Sequence, residues 1–221
     1  MTGGMSRGAK LEVLVFDIGG VLVHFAGFEE LPARLPYPID AASVRERWIH
    51  SRAVQTFERG DIGPDRFAEL FMVEWGLDMA PEQMLGDFVS WVRGPYPGAT
   101  AILDRLRLRF RIACLSNSNQ LHTHLHRNAL RGHVDEFFFS NELGLAKPDP
   151  AIFAAVISDL GVPAARIAFF DDTAANVDAA EAAGMSAHLT DGVDELEACL
   201  VRLGLLHGQA ADAPFSPSCG T

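Results

Sequence analysis

Five short apolar runs set the terms for this chain: Leu11–Phe16, Arg111–Ser116, Phe137–Ser140, Ile167–Phe170 and Ser186–Leu189. Each is too short for a core helix, and none alternates strictly between apolar and polar residues. Strands with this pattern are covered on both faces, as in a parallel sheet. Helical spacing fills the gaps between the later runs. Ala99–Leu108 places Ile102, Leu103 and Leu106 on one face. Pro150–Leu160 follows Asp149, an N-cap, with Pro150 in the first turn. Ala174–Ala183 runs into Gly184, a C-terminal stop, and Asp194–Leu203 closes the series. Strand–helix alternation of this kind predicts an α/β fold with right-handed crossovers.

The rhythm breaks once. Between the first run and Ala99 no stretch reads as a strand, while Ala41–Glu58, Pro64–Trp75 and Pro81–Val92 carry apolar residues at helical spacing. The expected organisation is a core formed by 11–25 and 96–206, with a helical unit over 26–95 inserted after the first strand. Ala26-Gly27 and the segment Gly94-Pro95-Tyr96-Pro97-Gly98 are joint material. Trp48, Phe57, Phe67, Phe71, Trp75, Phe88 and Trp91 read as the core of the inserted unit, and Arg45, Arg47 and Arg52 as solvated helix faces. Residues 1–10 and 207–221 read as flexible ends.

Charge narrows the function. With 29 acidic and 18 basic residues the net charge is −11, which argues against a nucleic-acid partner, since phosphate backbones call for clustered Lys and Arg. Cys114, Cys199 and Cys219 are too widely spaced for a disulfide framework or a zinc pattern. No apolar span is long enough for a membrane helix, so the expectation is no membrane partner and a cytoplasmic location. Oligomeric state is not legible in the sequence.

In a parallel sheet, ligands bind beyond the carboxyl ends of the strands. Those ends carry chemistry here. The first delivers Asp17, the second Ser116-Asn117-Ser118-Asn119, and the third leads to Glu142 and Lys147. The fourth delivers Asp171-Asp172-Thr173, with Asn176 one turn on. Asp17 is suited to attack phosphorus. Its repulsion from a phosphate is relieved by Mg²⁺, for which Asp17, Asp172 and the Gly19 carbonyl would supply oxygens. Lys147 would neutralise further charge and orient Asp17. Ser116 and the free N–H groups near Asn117 and Ser118 would hold phosphate oxygens. Gly19 and Gly20 would let the backbone come close without side chains in the way.

FDIGGVL, LSNSN, GLAKPDPAIF and FFDDTAANV, in that order, resemble the four motifs of the haloacid dehalogenase superfamily. The match spans about residues 11–190. The cluster of LSNSNQLH with FFDDTAANV is most similar to the subgroup holding bacterial sugar-1-phosphate phosphatases and the phosphatase domain of soluble epoxide hydrolase. The resemblance implies a Rossmann-like core with a small α-helical cap. It also implies a Mg²⁺-dependent phosphatase acting through an aspartyl-phosphate on a small phosphorylated substrate such as a sugar phosphate. Asp17, Ser116 and Lys147 would be catalytic, Ser116, Asn117 and Lys147 would hold the substrate, and Asp17, Gly19 and Asp172 the metal. Asp171 and Asn176 would support the loop or the metal.

One position departs from the pattern. Phosphatases of this family usually carry a second aspartate two residues after the nucleophile, and here that position is Gly19. General acid–base catalysis is worth roughly 10²–10⁴ in rate. Three readings stay open: a phosphatase for good leaving groups such as sugar 1-phosphates, a protein with little turnover that binds a phosphorylated ligand or another protein, or a 2-haloacid dehalogenase. His24, near the joint, has the pKa for a substitute acid, against a packing or hinge role. His122 and His126 share a helical face without the spacing of a zinc site.

Overall fold

The computed structural model describes residues 10–207, so the two ends expected to be flexible lie, but for Lys10 and His207, outside the described residues. The core strands are β1 (Val13–Phe16), β4 (Arg111–Ser116), β5 (Glu136–Phe139), β6 (Ile167–Asp171) and β7 (Ser186–Leu189). A second, two-stranded sheet pairs β2 (Val23–Phe25) with β3 (Val92–Pro95). The helices are α1 (Gly27–Glu30), α2 (Ala41–Ile49), α3 (Arg52–Glu58), α4 (Pro64–Trp75), α5 (Pro81–Ser90), α6 (Ala99–Arg107), α7 (Thr123–Ala129), α8 (Ser140–Leu143), α9 (Pro150–Leu160), α10 (Ala174–Ala182) and α11 (Gly192–Arg202).

The five core strands form a parallel sheet in the order β5-β4-β1-β6-β7. β1 lies at its centre, with Val13 opposite Arg111 on one side and Ile167 on the other. All four β1 residues are buried because both faces of the sheet are covered. Leu14, Phe16, Ile112 and Cys114 meet Leu103 and Leu106 of α6 and Leu200 of α11 on one face. Val13, Val15, Ala113 and Leu115 meet Phe153 and Val156 of α9 and Ala180 of α10 on the other. The apolar runs therefore lack alternation for the reason expected. This is the α/β Rossmann-like architecture. The chain builds the sheet outward from β1 through β4 to β5, then crosses back to place β6 on the other side of β1, and the crevice at such a reversal is where open α/β sheets bind ligands.

Between β1 and α6 the structure corrects two expectations. The first concerns strands: β2 and β3 form an antiparallel ribbon, Val23 opposite Pro95 and His24 opposite Gly94. Its members are short and half-exposed, and one runs through Gly and Pro, so the usual strand signals are weak. The second concerns Ala41–Glu58, which breaks into α2 and α3. Ser51 adopts an extended backbone and its buried Oγ accepts from Val54 N at 3.2 Å, capping a new helix. Helices α2–α5 enclose a core of their own around Trp48, Phe57, Phe67, Phe71, Trp75 and Phe88. The Trp48 and Phe88 rings stack at 6.0 Å.

Candidate active site

The strand ends do converge. Asp17 directly follows β1, its N–H donating to the Phe170 carbonyl at 2.8 Å. Lys147 Nζ lies 2.9 Å from Asp17 Oδ1 and 2.6 Å from Asp171 Oδ2, and donates to the Leu115 carbonyl at 2.9 Å. The lysine side chain is 1% exposed. Burial alone would lower its pKa, but Asp17 and Asp171 override that and hold it above the usual lysine range. Burial raises the Asp17 carboxyl to about 7, with Lys147 pulling it down and Asp171 and Asp172 pushing it up.

The supporting residues differ in part from expectation. The Asn117 side chain brackets the Lys147 backbone, accepting from its N–H at 2.8 Å and donating to its carbonyl at 2.9 Å. Only the backbone of Asn117 is left for a ligand. The Ser118 N–H is taken by Ser140 Oγ at 2.9 Å, and the next helix starts at Thr123, so the helix N-terminus expected near Asn117 and Ser118 is not there. Ser116 is buried, and its Oγ makes one long contact of 3.4 Å to Asn117 O, which leaves the hydroxyl available. Asp171 is fully buried and accepts from Lys147, from Thr173 N at 2.8 Å and from Asn176 Nδ2 at 2.9 Å. Asp171 therefore seats Lys147, and Asn176 seats Asp171.

Asp172 faces the other way. Arg45, from α2, reaches across to it with Nη2 2.7 Å from Oδ2 and 3.2 Å from the Asp172 carbonyl. Burial raises the Asp172 pKa, and Arg45 opposes the rise. This arginine is not the solvated one the sequence suggested. Oxygens of Asp17, Asp171 and Asp172 lie within 4.8 Å of one another. Asp17 Oδ1 is buried, and its approach to Lys147 is an ion pair without hydrogen-bond alignment, so it has no hydrogen-bond donor. The clustered carboxylates and the adjacent Gly19 carbonyl form an all-oxygen set that fits a hard divalent cation.

The two glycines have different reasons to be there. A Cβ at Gly20, where φ is +77°, would lie 1.9 Å from Asp172 Oδ2, so a side chain there would be strained and would displace that carboxylate. A Cβ at Gly19 would meet nothing within 4 Å. The missing acid at that position is therefore not missing for want of room.

These groups floor a cavity of about 770 Å³. Phe25, Phe28, Trp48, Tyr96 and Glu58 are among its other lining residues. His24 does not line it. It stacks on Tyr96 at 5.7 Å and sits 3.8 Å from Glu29, beside the joint. His122 lines it but is neutral: burial lowers its pKa to about 4. Its Nε2–H donates to the Phe88 carbonyl at 2.9 Å, and its Nδ1 faces Asn119 Nδ2 at 3.3 Å. Arg45 and Glu58 are site residues the sequence reading missed. Their spacing held a signal, because Arg45, Trp48 and Ile49 share one face of α2, and Val54 and Glu58 share one face of α3.

The profile of the family described as haloacid dehalogenase-like hydrolase matches residues 11–184. "Phosphatase MT3486" of Mycobacterium tuberculosis is 30% identical over 82% of this chain and 88% of its own length. "D-ribitol-5-phosphate phosphatase" of Bacteroides thetaiotaomicron is 24% identical over 74% of this chain and 84% of its own. The fold is shared with an enzyme of the same family from Bacteroides thetaiotaomicron, solved with magnesium and inorganic phosphate. That structure aligns with a TM-score of 0.65 at 22% identity, over 82% of this chain and 94% of the other.

Proposed function

This chain belongs to the haloacid dehalogenase-like hydrolases, and from that premise we propose that it is a Mg²⁺-dependent phosphatase of small phosphorylated metabolites, working through a phosphoryl group carried on Asp17. The observation that carries the reading is the buried Asp17–Lys147 pair beside the carboxylates of Asp171 and Asp172. Three converging carboxylates favour a cation, and with it phosphate, over a haloacid.

Asp17, Asp172 and the Gly19 carbonyl would hold Mg²⁺, which when bound shields phosphate charge from the attacking carboxylate. Lys147 favours the ionised form of Asp17 and aims it, and Asp171 and Asn117 keep Lys147 in place. The Ser116 hydroxyl and the Asn117 N–H take phosphate oxygens. The aromatic walls from β2, α1 and α2 receive the leaving group and exclude water. Magnesium in the Bacteroides thetaiotaomicron structure supports the choice of ion, and the names of the relatives support a small phosphorylated substrate.

The test is phosphate release from a panel of small phosphomonoesters with Mg²⁺, with EDTA, and from Asp17→Asn. Release is expected to stop in EDTA and to fall to background in the variant. Turnover that persists in either ends the reading.

A further inference from the structure

A phosphatase with glycine at position 19 still has to deliver a proton to an alkoxide. The inference that follows rests on the phosphatase reading and concerns where that proton comes from. Most acidic groups around the cavity are otherwise engaged or turned to solvent. Asp172 holds Arg45, Asp149 caps α9, and the Glu29 and Asp191 side chains are 58% and 68% exposed. His122 has both ring nitrogens engaged and stays neutral.

Glu58 is different. It ends α3 and lines the cavity that Asp17 and Lys147 floor. Among the described residues it has no ion-pair partner within 4.0 Å, so no salt bridge explains a carboxyl placed there. Its backbone is fixed to the core. The Ser140 hydroxyl donates to the Glu58 carbonyl, and Gly60 lies so close to Asn141 that a Cβ would sit 2.6 Å from its carbonyl oxygen. The groups that act on the carboxyl are Lys147, Trp48 of α2, Asp17, and Arg59, the residue that follows α3. Burial raises it to about 7, against the opposing pull of Lys147 and the Trp48 side chain. An acid meant to exchange protons near neutrality has such a value.

We infer that Glu58, on the inserted helices, is the proton donor and acceptor of the reaction, replacing the acid absent at Gly19. As Asp17 bonds to phosphorus, the P–O bond to the leaving group breaks. Its electron pair stays on the leaving oxygen, which takes the Glu58 proton and departs as an alcohol. The Glu58 carboxylate then takes a proton from water as the water oxygen attacks phosphorus. The Asp17–phosphorus bond breaks, and Glu58 is protonated for the next cycle.

Glu58→Gln is the test, read with phenyl phosphate and p-nitrophenyl phosphate, which differ little in shape and much in leaving-group basicity. The expected loss in kcat/KM is about 10²–10⁴-fold for phenyl phosphate and under about tenfold for p-nitrophenyl phosphate. Nitrophenolate should also appear as a burst of one equivalent per site, because the phosphorylated Asp17 then waits for a base. Equal losses for both esters, or no burst, overturn the assignment. If the variant does not fold, the wild-type protein still decides. Its kcat/KM for phenyl phosphate should fall as pH rises past the Glu58 pKa while that for p-nitrophenyl phosphate does not, and a parallel fall in both overturns it. Absence of Mg²⁺-dependent release from either ester by the wild-type protein would instead count against the phosphatase reading itself.

Discussion

Replacing Gly20 with alanine should separate folding from chemistry. The new Cβ would lie 1.9 Å from Asp172 Oδ2, where ordinary contact begins at 3.4 Å, so the carboxylate must retreat by about 1.5 Å. It can do so, since it is the end of a side chain, but it then leaves both Arg45 and the proposed cation position. The stability cost is alanine at φ +77°, about 1–2 kcal/mol, plus up to ~1 kcal/mol for a partly exposed ion pair. A domain with roughly 5–15 kcal/mol of stability survives this. Turnover should not, because misplacing a reacting group by about 1 Å costs on the order of 10²-fold. The expected result is a folded protein at least ~100-fold slower at saturating Mg²⁺, with weaker Mg²⁺ dependence in a titration. Gly19→Ala, whose Cβ meets nothing within 4 Å, is the stability control and should unfold within about 0.5 kcal/mol of wild type. Urea unfolding and p-nitrophenyl phosphate turnover measure both effects. Equal destabilisation by the two substitutions, or undiminished turnover in Gly20→Ala, would refute the steric reasoning.

Asn117→Ala removes both hydrogen bonds that bracket the Lys147 backbone. At roughly 0.5–1.5 kcal/mol each, urea unfolding should show a loss of about 2 kcal/mol, together with slower turnover. His122 predicts acid sensitivity of a definite sign. Its folded pKa, about 4, lies below the unfolded value of about 6.5, so its contribution is complete above pH ~6.5 and is lost as pH falls through the folded pKa. Between those limits wild type should lose ~3 kcal/mol more than His122→Gln. Parallel stability curves for the two proteins would count against the buried neutral imidazole.

The core was legible because its physics is local. β1 and β6 are buried on both faces and read as unbroken apolar runs, and Asp149 caps α9 as its position suggests, accepting from Ala151 N at 2.9 Å. The converging polar residues followed from where those strands end. Contacts between distant segments were harder to read. Nothing around Arg45 announces a partner 127 positions away. Glu58 looks like any charge at a helix end until the cavity beneath it is known. The Asn117 amide was open to a ligand in the sequence and is closed by the Lys147 backbone in the fold. The β2–β3 ribbon escaped because its residues, His24 and Gly94 among them, owe their conformation to each other rather than to their own preferences.

The buried ammonium has a practical corollary. The chain holds two lysines; Lys10 is exposed and Lys147 is enclosed between carboxylates. Acylating reagents need an amine that is both reachable and deprotonated, and Lys147 is neither. Of the two lysines, therefore, only Lys10 will react when the protein is tethered to a bead or a dye through amine chemistry, and the interior amine stays untouched.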